Sequence, residues 1–404
     1  IESKLKEFWD FHVKNYGENF TYEQFESQFK AELYDPQHWA DIFKKSGAKY
    51  VVLTSKHHEG YALWNSPEAD RTWGKPWNAV TGTPQRDLLG DLTTAVRDAG
   101  LKMGYYYSLY EWYNPLWKTD KQKYINDHML PQLKDLVNKY KPSVIFSDGE
   151  WDLSDTAWRS TEFLAWLFNE SPVAKDVVVN DRWGKNTRER NHGATYTTSE
   201  YGSGKSADIV WEESQGIGHS YGYNRNERID DYKSSRELLL LLIDIVARGG
   251  NLLLDIGPTG DGRIPVIMQE RLLEMGEWLH VNGEAIYGTQ ALAQPYQWSS
   301  SNIPQKNDKS YMADYSAAAL IEPKQDVAHV ELFFTKKEKD LYCFLPKFQP
   351  KVILKDYKVK ANTRVSVLGS SKILKATNIG NNCEVDLSTF KPGEIPGELL
   401  VLEF

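Results

Sequence analysis

Cysteine is nearly absent: Cys343 and Cys383 are the only two in 404 residues. They could close one bridge in an exported protein, but they make neither a disulfide framework nor a four-thiolate zinc site. Long apolar runs are missing as well, and no stretch approaches the roughly eighteen residues that a membrane-spanning helix needs. There is no basic block, and 48 basic against 56 acidic side chains leave a formal net charge of -8. Neither a membrane nor a nucleic acid is therefore expected as a partner. Ile1 to Glu7 carry charges where a signal peptide would be apolar and read as the start of a polar helix. No glycine-rich dinucleotide loop follows the first strand-like run, which argues against a doubly wound nucleotide-binding sheet.

Aromatic residues are abundant: 14 Trp, 23 Tyr and 15 Phe make up 13% of the chain. Packed cores use such rings, and so do sugar-binding sites, where an amphipathic ring meets the apolar face of a pyranose. The last tryptophan is Trp298, and the stretch beyond it is rich in Val, Leu, Lys and Asp. A change of domain is expected there, with one domain over 1–290 and a second over 291–404. Within the first, short apolar runs at 50–54, 102–108, 143–147, 176–180, 209–211 and 251–256 read as buried strands. Helical segments at 36–46, 87–98, 119–140, 154–169 and 232–248 separate them. That alternation predicts parallel β/α units and a (β/α)8-type barrel. After Gly283 the pattern becomes alternating strands with turns at 330–334, 340–345, 351–354, 363–368, 383–387 and 399–404, which predicts an antiparallel β-sandwich.

In a β/α barrel the chemistry lies at the C-terminal ends of the strands. Those ends here carry His57 and His58, Tyr106, Asp148 after Phe146, and Arg182. Asp148 is the most telling, because a carboxylate buried beside an apolar run costs several kcal/mol unless it is paired or used. A sugar hydrolase needs two carboxylates flanking the glycosidic bond. Glu150, Glu200, Glu212 and Glu213 could each supply the second, and spacing does not choose among them. A metal hydrolase using His57, His58 and Asp148 is a competing class, although no HxH or HExxH spacing occurs.

The segments 55–61 (SKHHEGY), 146–151 (FSDGEW), 180–184 (NDRWG) and 249–262 (GGNLLLDIGPTGDG) resemble the family 29 α-L-fucosidases. The resemblance implies a catalytic barrel followed by a β-sandwich, no metal or other cofactor, and hydrolysis of terminal α-L-fucose from glycans with retention. It makes Asp148 the nucleophile and places His57, His58, Tyr106, Phe146 and Arg182 around the sugar. For the acid/base, the Ser-Glu-Tyr context of Glu200 resembles bacterial members. The Trp-Glu pair at Glu212 resembles mammalian ones and is the runner-up. The family's His-Trp-Gly strand end and Glu-Trp loop have no counterpart, so the first β/α element of the barrel is expected to be missing from the chain. That departure keeps a second reading open, a fucose- or glycan-binding protein on a glycosidase scaffold without turnover. A fucosylated oligosaccharide or glycoconjugate is the expected partner, and association into a homo-oligomer is left open. Residence in the periplasm, outside the cell or in the lysosome is expected from the activity. It also fits the acceptor-like tripeptides at Asn19 and Asn169, the second of which is followed by Pro172.

Overall fold

In the computed structural model the described residues are 5–189, 194–202, 205, 208–303, 317–322, 327–390 and 399–404. Parallel strands dominate the first part: β1 (Tyr50–Lys56), β2 (Lys102–Ser108), β3 (Val144–Asp148), β4 (Val178–Val179), β5 (Thr197–Glu200), β6 (Trp211–Gly216) and β7 (Gly250–Asp255). They pair in chain order as β1-β2-β3-β4 and β5-β6-β7. The amides of Thr195 and Tyr196 donate to Val179 O and carry the sheet from β4 to β5. Chain-order parallel pairing with intervening helices is the topology of a (β/α)8-type barrel. Its curvature closes incompletely. Among the described residues β1 pairs only with β2, and β7 only with β6. A cavity of about 1800 Å³ opens between their free edges, lined on one side by Tyr50 to Thr54 and on the other by Asn251 to Ile256.

The helices begin where the chain supplies caps. Asp35 accepts from His38 N at 3.0 Å ahead of Pro36–Lys45, and Asp87 from Gly90 N at 2.8 Å ahead of Leu88–Asp98. The expected helix at 119–140 starts afresh at Asp120 and passes through a π-helical turn, Ile125–Met129, before Leu130–Tyr140. The expected helix at 154–169 is broken at Arg159, whose φ of 56° is left-handed. Ser234 and Glu237 form a capping box that starts the next helix at Ser235 rather than Tyr232. The strand expected at 209–211 begins only at Trp211, because Val210 is 62% exposed while Trp211–Gly216 is buried throughout. The polar strand β5 carries no apolar run that would announce it, and the helix Val266–Asn282, which buries Met268, Leu272, Met275 and Leu279 at helical spacing, lies outside the expected segments.

The second part contains β8 (Tyr296–Trp298), β9 (Val330–Lys337), β10 (Asp340–Leu345), β11 (Lys351–Leu354), β12 (Ser366–Val367), β13 (Lys375–Ile379), β14 (Asn382–Asp386) and β15 (Leu400–Glu403). Two antiparallel sheets, β12-β15-β10-β9-β8 and β11-β14-β13, enclose a core that includes Leu332, Val352, Val367, Val385 and Leu402. This is the C-terminal β-sandwich. Cys343 and Cys383 both lie in that core as free thiols. The other face of the larger sheet joins the barrel core through Phe333, Phe344 and Val401, and Trp278 Nε1 donates to Leu399 O at 2.9 Å.

Candidate active site

The polar ends of β1 to β5 converge on one mouth of the cavity. Asp148 is the last residue of β3 and is 8% exposed. Its Oδ2 accepts from Tyr106 Oη at 2.8 Å, and its Oδ1 accepts from Arg182 Nη1 at 3.0 Å. Burial alone would raise its pKa, but Arg182 and the Tyr106 hydroxyl outweigh burial and hold the carboxyl below its ordinary value. Asp148 is therefore an anion at neutral pH. The turn after it needs Gly149, whose φ is +73° and whose Cα lies where a Cβ would come within 2.9 Å of Ser108 Oγ.

Arg182 follows β4 and is 3% exposed. Its Nε donates to Thr198 Oγ1 and its Nη2 to Glu200 Oε2, both at 3.0 Å. One guanidinium thus holds Asp148 and Glu200 together, and the rigid fork keeps the bonded oxygens within roughly 8 Å of each other. The cation also sits 5.0 Å from the centroid of the Phe146 ring. Thr198, which orients Nε, donates in turn to Asp181 Oδ1 at 2.8 Å.

The two imidazoles differ. Ser108 Oγ gives its single proton to Tyr110 O at 2.6 Å, so His58 Nδ1 must be the donor in its 2.7 Å contact with Ser108. Burial, then the neighbouring His57, push the pKa of His58 down to about 3, so the ring is neutral. Its Nε2 is left as an acceptor, 3.8 Å from Asp148 Oδ2. His57 stacks on Tyr106 at 5.4 Å and 9°, and about half of its side chain, 48%, is open to the cavity. Surrounding protein still lowers its pKa by desolvation, against the pull of Asp148.

The structure thus brings together Asp148, Glu200, His57, His58, Tyr106, Phe146 and Arg182, all of which line the cavity. It does not bring Glu212 to that mouth. Glu212 is the second residue of β6, two positions before Ser214, which pairs in register with Glu200. Two residues of strand set it back by about 7 Å. There Tyr50 Oη donates to its carboxyl, burial raises the carboxyl to about 7, and it does not line the cavity. Glu150, another alternative, is held by Arg188 Nε at 2.6 Å, and Glu213 accepts from Gly202 N at 3.0 Å. Among the described residues no three His, Cys, Asp or Glu side chains are grouped to hold a metal ion.

Sequence reasoning passed over Asp255, Arg188 and Tyr221, which also line the cavity. Asp255 ends β7, so the rule that selected Asp148 applies to it equally; burial raises its pKa to about 8. Arg188 and Tyr221 lie on loops with no comparable signal. Of residues 202–208, only Gly202, Lys205 and Asp208 are among the described residues.

The family model described as α-L-fucosidase matches residues 1–284. An α-L-fucosidase of Dictyostelium discoideum is 46% identical over 287 residues, 69% of this chain and 61% of that protein. Human plasma α-L-fucosidase is 40% identical over 390 residues, 94% of this chain and 77% of that one. The crystal structure of a Thermotoga maritima α-fucosidase in complex with a mechanism-based inhibitor superposes with a TM-score of 0.77 at 34% identity, covering 99% of this chain and 86% of that one. The chain spans about three fifths of its Dictyostelium relative, and with a family match running from residue 1 to 284 it belongs to the α-L-fucosidase family.

Proposed function

We propose that the protein is a retaining exo-α-L-fucosidase that removes terminal fucose from glycans. One observation carries the reading: Asp148 and Glu200 share the buried guanidinium of Arg182 at the strand-end mouth of the cavity, beside His57 and His58. Asp148, an anion held by Tyr106 and Arg182, attacks the anomeric carbon. As the bond to the leaving oxygen breaks, Glu200 gives that oxygen its proton, and a β-fucosyl ester of Asp148 forms. Glu200 then takes a proton from water, the hydroxide opens the ester, and α-L-fucose departs with Asp148 restored. His58 Nε2 accepts from a sugar hydroxyl, His57 contacts a second, and Phe146 with Tyr106 forms the apolar wall. Export from the cytosol is part of the same proposal, supported by relatives named as plasma enzymes.

Hydrolysis of 4-nitrophenyl α-L-fucoside tests the activity, and product NMR tests its stereochemistry. Asp148→Ala is expected to lose roughly 10⁴-fold or more in kcat. Azide should rescue Glu200→Ala and leave Glu212→Ala unaffected. Full turnover by Asp148→Ala would refute the assignment, and fucose binding without turnover by the unaltered protein would make it a glycan-binding protein instead.

A further inference from the structure

Directly beneath the two imidazoles lies a buried charge cluster that the reaction scheme does not use. Lys56 Nζ donates to Glu111 Oε1 at 2.7 Å, and both side chains are 0% exposed. His128 Nε2 donates to the same oxygen at 2.6 Å. Asn114 Nδ2 at 2.7 Å and Trp73 Nε1 at 3.2 Å donate to Oε2. Desolvation works against the Glu111 anion, but His128 and Lys56 overcome it and hold the carboxyl below the ordinary range. Burial lowers Lys56 in turn, against the pull of the Glu111 carboxylate.

Such a cluster is a poor source of stability, since a buried ion pair is often replaceable by apolar side chains at no loss. What it supplies here is position. Lys56 precedes His57, and Gly60 follows Glu59; a Cβ on Gly60 would fall 2.6 Å from Glu111 Oε2. The carboxylate therefore bonds the Lys56 end of the segment carrying His57 and His58, and packs so close to Gly60 at the other end that no side chain fits there. Trp112, next to Glu111, donates its amide to His58 O at 2.9 Å and ties the middle of that segment to the same loop. His128 reaches Glu111 from the π-helical turn Ile125–Met129, a local departure from α geometry of the kind that recurs at functional sites.

We propose that Glu111 is a positioning residue for the sugar site: its carboxylate, anchored by His128, Asn114 and Trp73, holds Lys56 and packs against Gly60, and with the Trp112–His58 bond sets the angle at which His57 and His58 meet the fucose hydroxyls. The proposal rests on the reading of those imidazoles as fucose ligands. The test compares Glu111→Gln and His128→Gln with Asp244→Asn, which disturbs the buried Asp244–Arg248 pair elsewhere in the barrel. Glu111→Gln should weaken L-fucose binding about tenfold by calorimetry, and His128→Gln by a smaller factor. Both should move the imidazole resonances of His57 and His58, including the Nδ1–H signal of His58. Asp244→Asn should lower the melting temperature without moving either readout. If Glu111→Gln fails to fold, His128→Gln carries the same test. Fucose affinity within twofold of the unaltered protein together with unmoved imidazole signals would overturn the proposal. If the unaltered protein binds no fucose, the ligand reading fails, and the imidazole signals still judge the clamp.

Discussion

Asp148 and Glu200 are joined by Arg182, and this one cation decides how each can act. It is the largest influence that lowers the Asp148 pKa, opposing the stronger upward push of burial. Removing it must therefore raise that pKa. Catalysis needs Asp148 ionised, so Arg182→Met is expected to shift the acid limb of the kcat/KM profile to higher pH and to cost about 10²-fold or more in rate. A pH profile with an unmoved acid limb would show that Arg182 does not control the nucleophile. Sequence position singled out Asp148 and Arg182 because both follow apolar strands. The same rule could not rank Glu200 against Glu212, because Glu212 follows the apolar run 209–211 whereas Glu200 sits in a polar stretch.

At the scale of elements, the site depends on how strands end. Gly149 lets β3 stop at Asp148 and turn away, and Gly149→Ala would need both a left-handed alanine and a contact 2.9 Å from Ser108 Oγ. We expect that variant to fold with reduced stability and to lose most of its activity, because Ser108 also orients His58. Turnover equal to that of the unaltered protein would contradict it. The free edges of β1 and β7 make a second expectation. Among the described residues, amides of Tyr50–Thr54 and Leu252–Leu254 that point away from β2 and β6 have no ladder partners, so they should exchange hydrogen faster than those of β2 and β3. Uniform protection across all of these strands in a solution exchange experiment would show that the edges are covered.

For the molecule as a whole, buried carboxyls set the response to pH. Glu59 and Glu212 are raised by burial to about 7, and Asp255 to about 8. Between pH 4.5 and 8 these three carboxyls hold protons in the folded chain that the unfolded chain has released, and their contribution to stability falls as pH rises through that window. Asp148 and Glu111 work in the opposite sense: both are held below their ordinary values, so their contribution is lost only as pH drops below about 4. His57 and His58, both held below their ordinary values, oppose the raised carboxyls below about pH 6.5, so the melting temperature is expected to decline clearly from pH 6.5 towards pH 8; a rise over that interval would show that these acids are ionised in the folded state. The barrel and sandwich should respond together, because Trp278, Phe333, Phe344 and Val401 belong to one continuous core.

The order of strands and helices, the antiparallel character of the C-terminal part and the positions of His57, His58, Asp148 and Arg182 were legible in the sequence, because hydrophobic periodicity and strand-end polarity are local signals. The polar strand β5, the late start of β6 at Trp211 and the π-helical turn were not, because pairing partners rather than composition create them. Tertiary structure alone brought Glu200 within reach of the guanidinium 18 residues before it, which also grips an aspartate 34 residues earlier in the chain, and set Glu212 back along β6. Register between neighbouring strands decides which side chains share a mouth, and register is a property of the assembled sheet that no single segment encodes.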